Sequence, residues 1–539
     1  MESADKYLEI DGNSLTLKNL VDVARNLNYR ITISQSSLDK MKQSRDWVNK
    51  VQKSGKPTVY GINTGFGSKS NVSIDKHSLR QLQFNLIQSH SAGTGEPLPI
   101  EIVRAAMLLR ANTLAKGYSG IRPQVVETLL LMLEKGVTPW VPSQGSVGAS
   151  GDLAPLSHMA LVLCRNPKGS SNFGGKAYFY DKRTKNWILE SGQKAMEKAE
   201  IPRVVLEAKE GLALNNGTQI STAILALALY DAILLLKQAD IAMALSLESL
   251  KGNSNAFRPE LHQLRPIEGQ IKTAENIRRL VDGSRLIDSL PQKVQDAYSL
   301  RCHPQVVGAA RQTLNFIESI VAVEMNATND NPIIFAESED SNKAVSGGNF
   351  HAQPIAICAD FLSIVLCDVG NISERRIFRL SDKNLNEGLP SFLITRDGLE
   401  DGLMIVQYTA SALASENKSL SHPASVDSIP TCENQEDHVS MAPIAARKAV
   451  QILDNLRKII AMELLFAAQA IDLRVKELKV DDAQNLLGAG TYAAYKTIRG
   501  RVKFLESDRP PYRDIEALDK LLRSEELLKA VETVTGPLA

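Results

Sequence analysis

Three stretches, about 218–251, 353–380 and 441–475, are apolar on more than one helical face. At roughly 25 residues or more, each is too long and too apolar to lie on the surface of a small domain, so they belong in the centre of a large helical bundle. A further helix is expected at about 304–328. The fold class that follows is mainly α, with a bundle of long helices over 218–480. A mixed, loop-rich N-terminal region (1–217) precedes it, and a charged, peripheral helical tail (481–539) follows. A chain of 539 residues can sustain two or three such regions around a large shared interior. Helices this apolar leave more greasy surface than one chain can cover, so an interface between subunits is expected.

Composition narrows the partners. Sixty-two basic and sixty-one acidic residues leave a net charge of +1, without a basic stripe, so neither nucleic acid nor an anionic membrane is expected and a small molecule is. The most apolar run, Ile220 to Tyr230, is followed by Asp231, Lys237 and Asp240, which reads as a buried helix rather than a membrane span. Cys164, Cys302, Cys358, Cys367 and Cys432 are scattered without a Cys-x-x-Cys pair, which argues for a reducing cytoplasm and against disulfides or structural zinc. Met1–Lys6 lacks the basic start and apolar run of an export signal. No histidine has a His-x-x-x-His or His-Glu-x-x-His partner, so no metal is expected.

In the N-terminal region an extended piece and a helix fill Tyr7 to Arg30, and Ser34 is placed to cap a helix running through Trp47 and Val51. Further helices are expected over 77–89, over 100–116 and from Pro123 to Gly136. Between Asn166 and Lys185 the pattern breaks into a surface excursion with a hairpin. The run Tyr60-Gly61-Ile62-Asn63-Thr64-Gly65-Phe66-Gly67 lacks the Gly-Lys-Ser/Thr of a phosphate loop, which leaves a mobile loop.

The densest set of small residues is Gly145 to Gly151, ahead of Asp152-Leu153-Ala154-Pro155-Leu156-Ser157-His158. Within it stands Ala149-Ser150-Gly151. A glycine amide nitrogen can be bent onto a carbonyl two residues back if the fold forces the turn. Ring closure and loss of two waters would convert Ser150 into an exocyclic methylene on an imidazolone, an electrophile that no ordinary side chain offers. A serine-hydrolase elbow needs glycine two residues after the serine, where Asp152 stands.

This segment resembles the signature of the aromatic amino acid ammonia-lyases and aminomutases, and the resemblance runs from about Tyr7 to Asp514. It implies a 4-methylidene-imidazol-5-one formed autocatalytically from Ala149, Ser150 and Gly151, with no separately bound cofactor. It also implies roles for particular residues. Tyr60 becomes the catalytic base for the substrate's β-proton, on a lid that excludes water. Asn216 stands beside the electrophile, where a donor can bind developing negative charge. Its neighbour Asn215 departs from the leucine or isoleucine common in the histidine-specific members. Tyr298 and Arg301, three apart on one helix face, assist proton or amine handling and grip the substrate carboxylate respectively. Phe350 lines the pocket, and Asn329, Asp330, Asn331 and Pro332 support it.

Specificity rests on two motifs, Ser89-His90 and Gln435-Glu436-Asp437-His438. Phenylalanine-specific members are typically apolar at the first and carry glutamine at the position of Glu436. A carboxylate and a histidine can satisfy the donor and acceptor of an imidazole that a benzene ring would leave unpaired. His90 discriminates less than Glu436, because some tyrosine lyases share it. The chain therefore most resembles the histidine-specific branch. That implies release of ammonia from L-histidine to leave trans-urocanate, with Glu436 among the catalytic residues, His90 and Arg301 binding substrate, and a homotetramer with composite active sites. The alternatives are a tyrosine or phenylalanine lyase or aminomutase using the same electrophile, and a non-catalytic helical binding assembly.

Overall fold

The computed structural model describes residues 6–169, 174–340, 342–396 and 398–539. The start of the chain through residue 5, where no export signal is expected, lies outside the described residues, as do residues 170–173 of the expected surface excursion. The chain forms two compact units, each assembled from three stretches. The first comprises Met1–Tyr230, Glu318–Asp360 and Pro423–Arg447, and the second Asp231–Ile317, Phe361–His422 and Lys448–Ala539. Three consecutive regions were the sequence expectation. The units are interleaved because the long helices contribute to both.

Helices α1 (Leu17–Arg25), α2 (Gln35–Ser54), α3 (Leu79–His90), α4 (Ile100–Ala115), α5 (Pro123–Glu134), α6 (Leu153–Leu163), α7 (Gly192–Lys198) and α8 (Glu210–Asn215) build the first unit. Their ends follow local chemistry. The Ser34 hydroxyl accepts from the Ser37 amide at 3.3 Å to start α2, left-handed Gly55 ends it, and Pro123 opens α5 where no amide is needed. Lys6–Ile10 pairs in parallel with Tyr29–Ile33. The hairpin of the excursion is formed by Lys176–Asp181 and Asn186–Ser191, and it joins Val137–Pro139 in an antiparallel sheet.

Two small apolar clusters in this unit seat the residues of interest. Val48, Val51, Val59, Ile62, Leu79, Ala208 and Ile334 pack behind the loop that carries Tyr60. Ala149, Val439 and Met441 pack behind the Ala-Ser-Gly turn, with Val147, Ala424 and Ile444 around them. Ala149 thereby shares one seat with residues about 290 positions on in sequence.

The four long helices are α9 (Gln219–Ser249), α13 (His303–Glu324), α14 (Gln353–Ser381) and α16 (Ala442–Leu478), and the greater part of each lies in the second unit. Between them come α10 (Pro259–Gln263), α11 (Glu268–Leu280), α12 (Tyr298–Arg301) and α15 (Met404–Leu420), and α17 (Ala489–Arg499), α18 (Tyr512–Arg523) and α19 (Glu526–Thr535) follow. By length and composition α9 and α14 could cross a membrane, yet 78% and 67% of their most apolar windows are buried within the protein, as in core helices. Asp240 on α9 is buried with His303 at 2.9 Å and Arg311 at 2.5 Å, and Glu463 on α16 holds Arg376 on α14. Buried charges are tolerated here because each is paired. The tail expected to be peripheral buries Leu518, Leu521, Leu522, Leu527, Leu528 and Val531 in the second unit. Its charges occupy one face and its leucines the other.

Candidate active site

The turn that carries Ala149-Ser150-Gly151 is clamped from two sides. Gly151 has φ +74°, and a Cβ there would stand 2.2 Å from the Gly217 carbonyl oxygen, so backbone packs where any other residue has a side chain. Gly151 and Gly217 form a parallel bridge, and the Asp152 amide donates to the Gly217 carbonyl at 2.7 Å. From the other side the Ser440 hydroxyl donates to the Gly148 carbonyl at 3.0 Å, and the Met441 amide to the Val147 carbonyl at 2.9 Å.

Asp152 anchors the turn to the start of α9. Its carboxyl accepts from the Ser221 amide at 2.8 Å, the Ser221 hydroxyl at 2.9 Å and the Ser146 hydroxyl at 3.2 Å. The group is fully buried, and burial pushes its pKa up to about 6 against the pull of these donors. An acid between a run of small residues and an apolar helix was the available signal for it, but its partner Ser221 lies 69 residues on.

Asn216 sits directly against the serine. Its Nδ2 donates to the Ser150 carbonyl oxygen at 3.0 Å, and its own carbonyl accepts from Arg110 Nη1 at 2.7 Å. Arg110, fully buried on α4, also donates to Gln219 Oε1 at 2.8 Å, and burial lowers its pKa to about 10. Gln219 in turn donates to Asn329 Oδ1 at 2.7 Å, and Asn329 to the Thr218 hydroxyl at 2.8 Å. Asp330 holds buried Lys209 at 2.8 Å. Asn331 donates to the Ser346 hydroxyl at 3.0 Å. The 329–331 motif therefore braces the strand of chain that bears Asn216, and Arg110 is a brace that sequence reading did not single out.

Ser150 and Asn216 open on a cavity of about 530 Å³ whose lining includes Tyr60, His90, Asn215, Cys432 and Glu436. The Tyr60 hydroxyl accepts from the Gly67 amide at 3.1 Å, and its ring meets Phe66 edge-on at 6.4 Å. Burial raises the Tyr60 pKa, with Cys432 and Glu436 adding to the rise and the Gly67 amide opposing it. The loop expected to be a mobile lid is hydrogen-bonded at its base. Asn63 Oδ1 accepts from the Val59 amide at 2.7 Å, and the Gly61 amide donates to Thr64 Oγ1 at 3.2 Å. Gln83 on α3 donates to the Gly61 carbonyl at 3.4 Å and accepts from the Gly211 amide at 2.9 Å, so one buried side chain joins this loop to α8.

On the facing side Glu436 Oε1 accepts from the Ser150 hydroxyl at 2.6 Å, and Oε2 from the Thr431 hydroxyl at 2.7 Å. Thr431 and Glu436 also pair through their backbones, closing a loop in which Cys432, Glu433 and Asn434 all have positive φ, at 51°, 56° and 63°. Three successive left-handed non-glycine residues are strained, and such strain concentrates where a side chain must be aimed. Cys432 Sγ would stand 2.6 Å from a Cβ at Gly67, so this loop and the Tyr60 loop approach closely. His90 ends α3 with Nδ1 3.0 Å from the Ser89 hydroxyl, and burial lowers its pKa. A histidine with a lowered pKa is neutral near pH 7, and so offers one donor and one acceptor.

The fold thus brings together Tyr60, His90, Ser150, Asn216 and Glu436. It does not bring in Phe350, which lies on a turn before His351 and is not among the lining residues. Tyr298 and Arg301 form the single turn α12 in the second unit, with the guanidinium 4.7 Å over the tyrosine ring and Tyr298 71% exposed.

The family model for aromatic amino acid lyases matches residues 15–500, nearly the whole chain. The chain belongs to this family. Among curated aromatic amino acid lyases, the histidine ammonia-lyase of Alkaliphilus oremlandii is 49% identical over 528 residues, covering 98% of this chain and 99% of the relative. Among solved structures, histidine ammonia-lyase from Trypanosoma cruzi matches with a TM-score of 0.87 at 38% identity, covering 98% of this chain and 95% of that one. Tyrosine aminomutase from Streptomyces globisporus matches with a TM-score of 0.89 at 35% identity, covering 99% and 100%. The mainly helical fold is that of these aromatic amino acid lyases, and the chain is an enzyme of the ammonia-lyase class.

Proposed function

We propose that this chain is a histidine ammonia-lyase that eliminates ammonia from L-histidine without oxidation, leaving trans-urocanate, in the cytoplasm. The observation that carries the reading is the contact of Glu436 with Ser150 in a cavity that also holds His90, Tyr60 and Asn216. An imidazole side chain meets a carboxylate and a neutral histidine there, which suits its nitrogens and not a phenyl ring.

The residues present fit a 4-methylidene-imidazol-5-one made from Ala149, Ser150 and Gly151. Position 151 admits only glycine, whose nitrogen the clamped turn can press toward the Ala149 carbonyl carbon. Asn216 Nδ2 already donates to the Ser150 carbonyl oxygen, and Asn216 Oδ1 has no partner among the described residues. When formed, this group supplies the electron withdrawal that lets the amine depart. Asn216 then stabilises negative charge on the Ser150 carbonyl oxygen. Tyr60 takes the β-proton as its phenolate. The cavity wall of Leu82, Leu86, Leu153 and Leu212 excludes water from that transfer.

The active form in this reading is a homotetramer in which Tyr298, Arg301 and Phe350 complete the sites of neighbouring copies. The exposure of Tyr298 and the Nε of Arg301, without a hydrogen-bond partner among the described residues, support it, as do Phe316, Phe361, Ile364 and Phe378, apolar residues exposed on the second unit's long helices. Arg301 presents a fork suited to the substrate carboxylate. Assays of purified protein against histidine, tyrosine and phenylalanine, following ammonia and the unsaturated acid, test the reading. Histidine is expected to be favoured by about tenfold or more in kcat/KM, the worth of one unpaired polar group. Faster turnover of tyrosine contradicts the assignment of substrate and leaves the lyase class standing.

A further inference from the structure

Asn215, the last residue of α8, is fully buried and lines the cavity beside Asn216. Its Nδ2 donates to the Ser157 hydroxyl at 3.1 Å. That hydroxyl gives its own proton to the Leu153 carbonyl at 2.7 Å, so it can only accept from Asn215, and the amide orientation is fixed. The consequence is that Asn215 Oδ1 is left without a hydrogen-bond partner among the described residues. A buried carbonyl oxygen without a donor is costly, and the aliphatic residues common at this position would avoid the cost.

Asn216 Oδ1, on the next residue, also lacks a hydrogen-bond partner among the described residues. L-histidine brings two donor groups, the α-ammonium and the ring N–H. Asn216 is tied by its Nδ2 to the carbonyl of the reacting serine, so the Oδ1 of the same amide is close to the reacting centre and is assigned to the amine. Asn215 is tied by its Nδ2 to Ser157, one helical turn beyond Leu153 on α6, and not to that serine, which leaves Oδ1 as the other edge of its amide. Leu153 and Leu212 flank it in the cavity wall.

We propose that Asn215 is a specificity-determining residue whose Oδ1 accepts the ring N–H of the imidazole. The assignment rests on the reading of the chain as a histidine ammonia-lyase, and it adds a third polar partner for the ring to Glu436 and His90. Leucine or isoleucine at the position would offer no such acceptor.

The test compares wild type with Asn215→Leu, and with Asn215→Ala should the leucine not be accommodated. Two competitive inhibitors of histidine turnover serve as probes, imidazole-4-propionate and 2-thienylpropionate. Both have a five-membered ring and a carboxylate, neither has an amine, and only the first has a ring N–H. The variant is expected to weaken imidazole-4-propionate by about tenfold, and thereby to lose that much of its preference for the imidazole over the thiophene. Binding of 2-thienylpropionate is unchanged or tighter. Equal weakening of both probes, or weakening of neither, overturns the inference, and the second of these includes the case in which Asn215 serves the amine. A wild-type protein inert toward L-histidine overturns the functional reading instead, and this inference with it.

Discussion

At the scale of single residues the account turns on Glu436 and Tyr60. Glu436 accepts from Thr431 and faces Ser150, and glutamine there would put a donor amide in place of one acceptor oxygen and remove the negative charge that meets the imidazole. Glu436→Gln is expected to lose most histidine turnover, by roughly tenfold or more in kcat/KM, while the protein still folds and retains its electrophile. Steady-state kinetics and the absorbance of the mature group check the two halves separately. Tyr60 must be ionised to take a proton, and burial raises its pKa above the ordinary 10. The ionised fraction then grows with every step in pH, so kcat/KM should climb from about pH 7 to about pH 9, and Tyr60→Phe should remove nearly all turnover. A flat profile over that range would assign the proton to a group of lower pKa. The contact of Glu436 with Ser150 spans 286 positions, which no local pattern can reveal. Resemblance named both residues, but the left-handed run Cys432–Asn434 that aims the glutamate carried no glycine to announce it.

At the scale of elements, Asp152 joins the Ala-Ser-Gly turn to α9 through Ser221. Its pKa rises from 3.8 to about 6 in the folded protein. Between those values the folded state keeps a proton that the unfolded chain has lost, so stability falls as pH rises through the window and stays lower above it, by roughly 3 kcal/mol. Asp152→Asn carries no titrating group and should lack this fall, although it loses an acceptor and is less stable at the lowest pH. Melting temperatures of both proteins across the window check the slope; parallel curves would mean Asp152 is charged when folded. The long helices were legible because their apolar residues cover several faces, and α9, α14 and α16 begin and end within a few residues of expectation. The turn anchors were not legible. Asp152, Arg110 and Gln83 act through backbone groups brought up from elsewhere, and a sequence shows side chains, not which carbonyl will face them.

Over the full chain, family membership covers residues 15–500, and each of the two units is assembled from three stretches of sequence. The division within α9 falls at Tyr230 and Asp231, where its most apolar run ends, yet the helix continues unbroken across it. Tyr60, His90, Ser150, Asn216 and Glu436 are gathered in the first unit, while Tyr298 and Arg301 belong to the second. Everything proposed for the reaction depends on the chemistry at Ser150. The most direct test is the intact mass of freshly purified, active protein beside that of Ser150→Ala. The mature chain should be lighter than the encoded chain by two waters, and Ser150→Ala, which has no hydroxyl to eliminate there, should fold and assemble, lack the two-water loss and have almost no turnover. Active protein with the full encoded mass, or a Ser150→Ala variant that turns over histidine normally, would contradict the account.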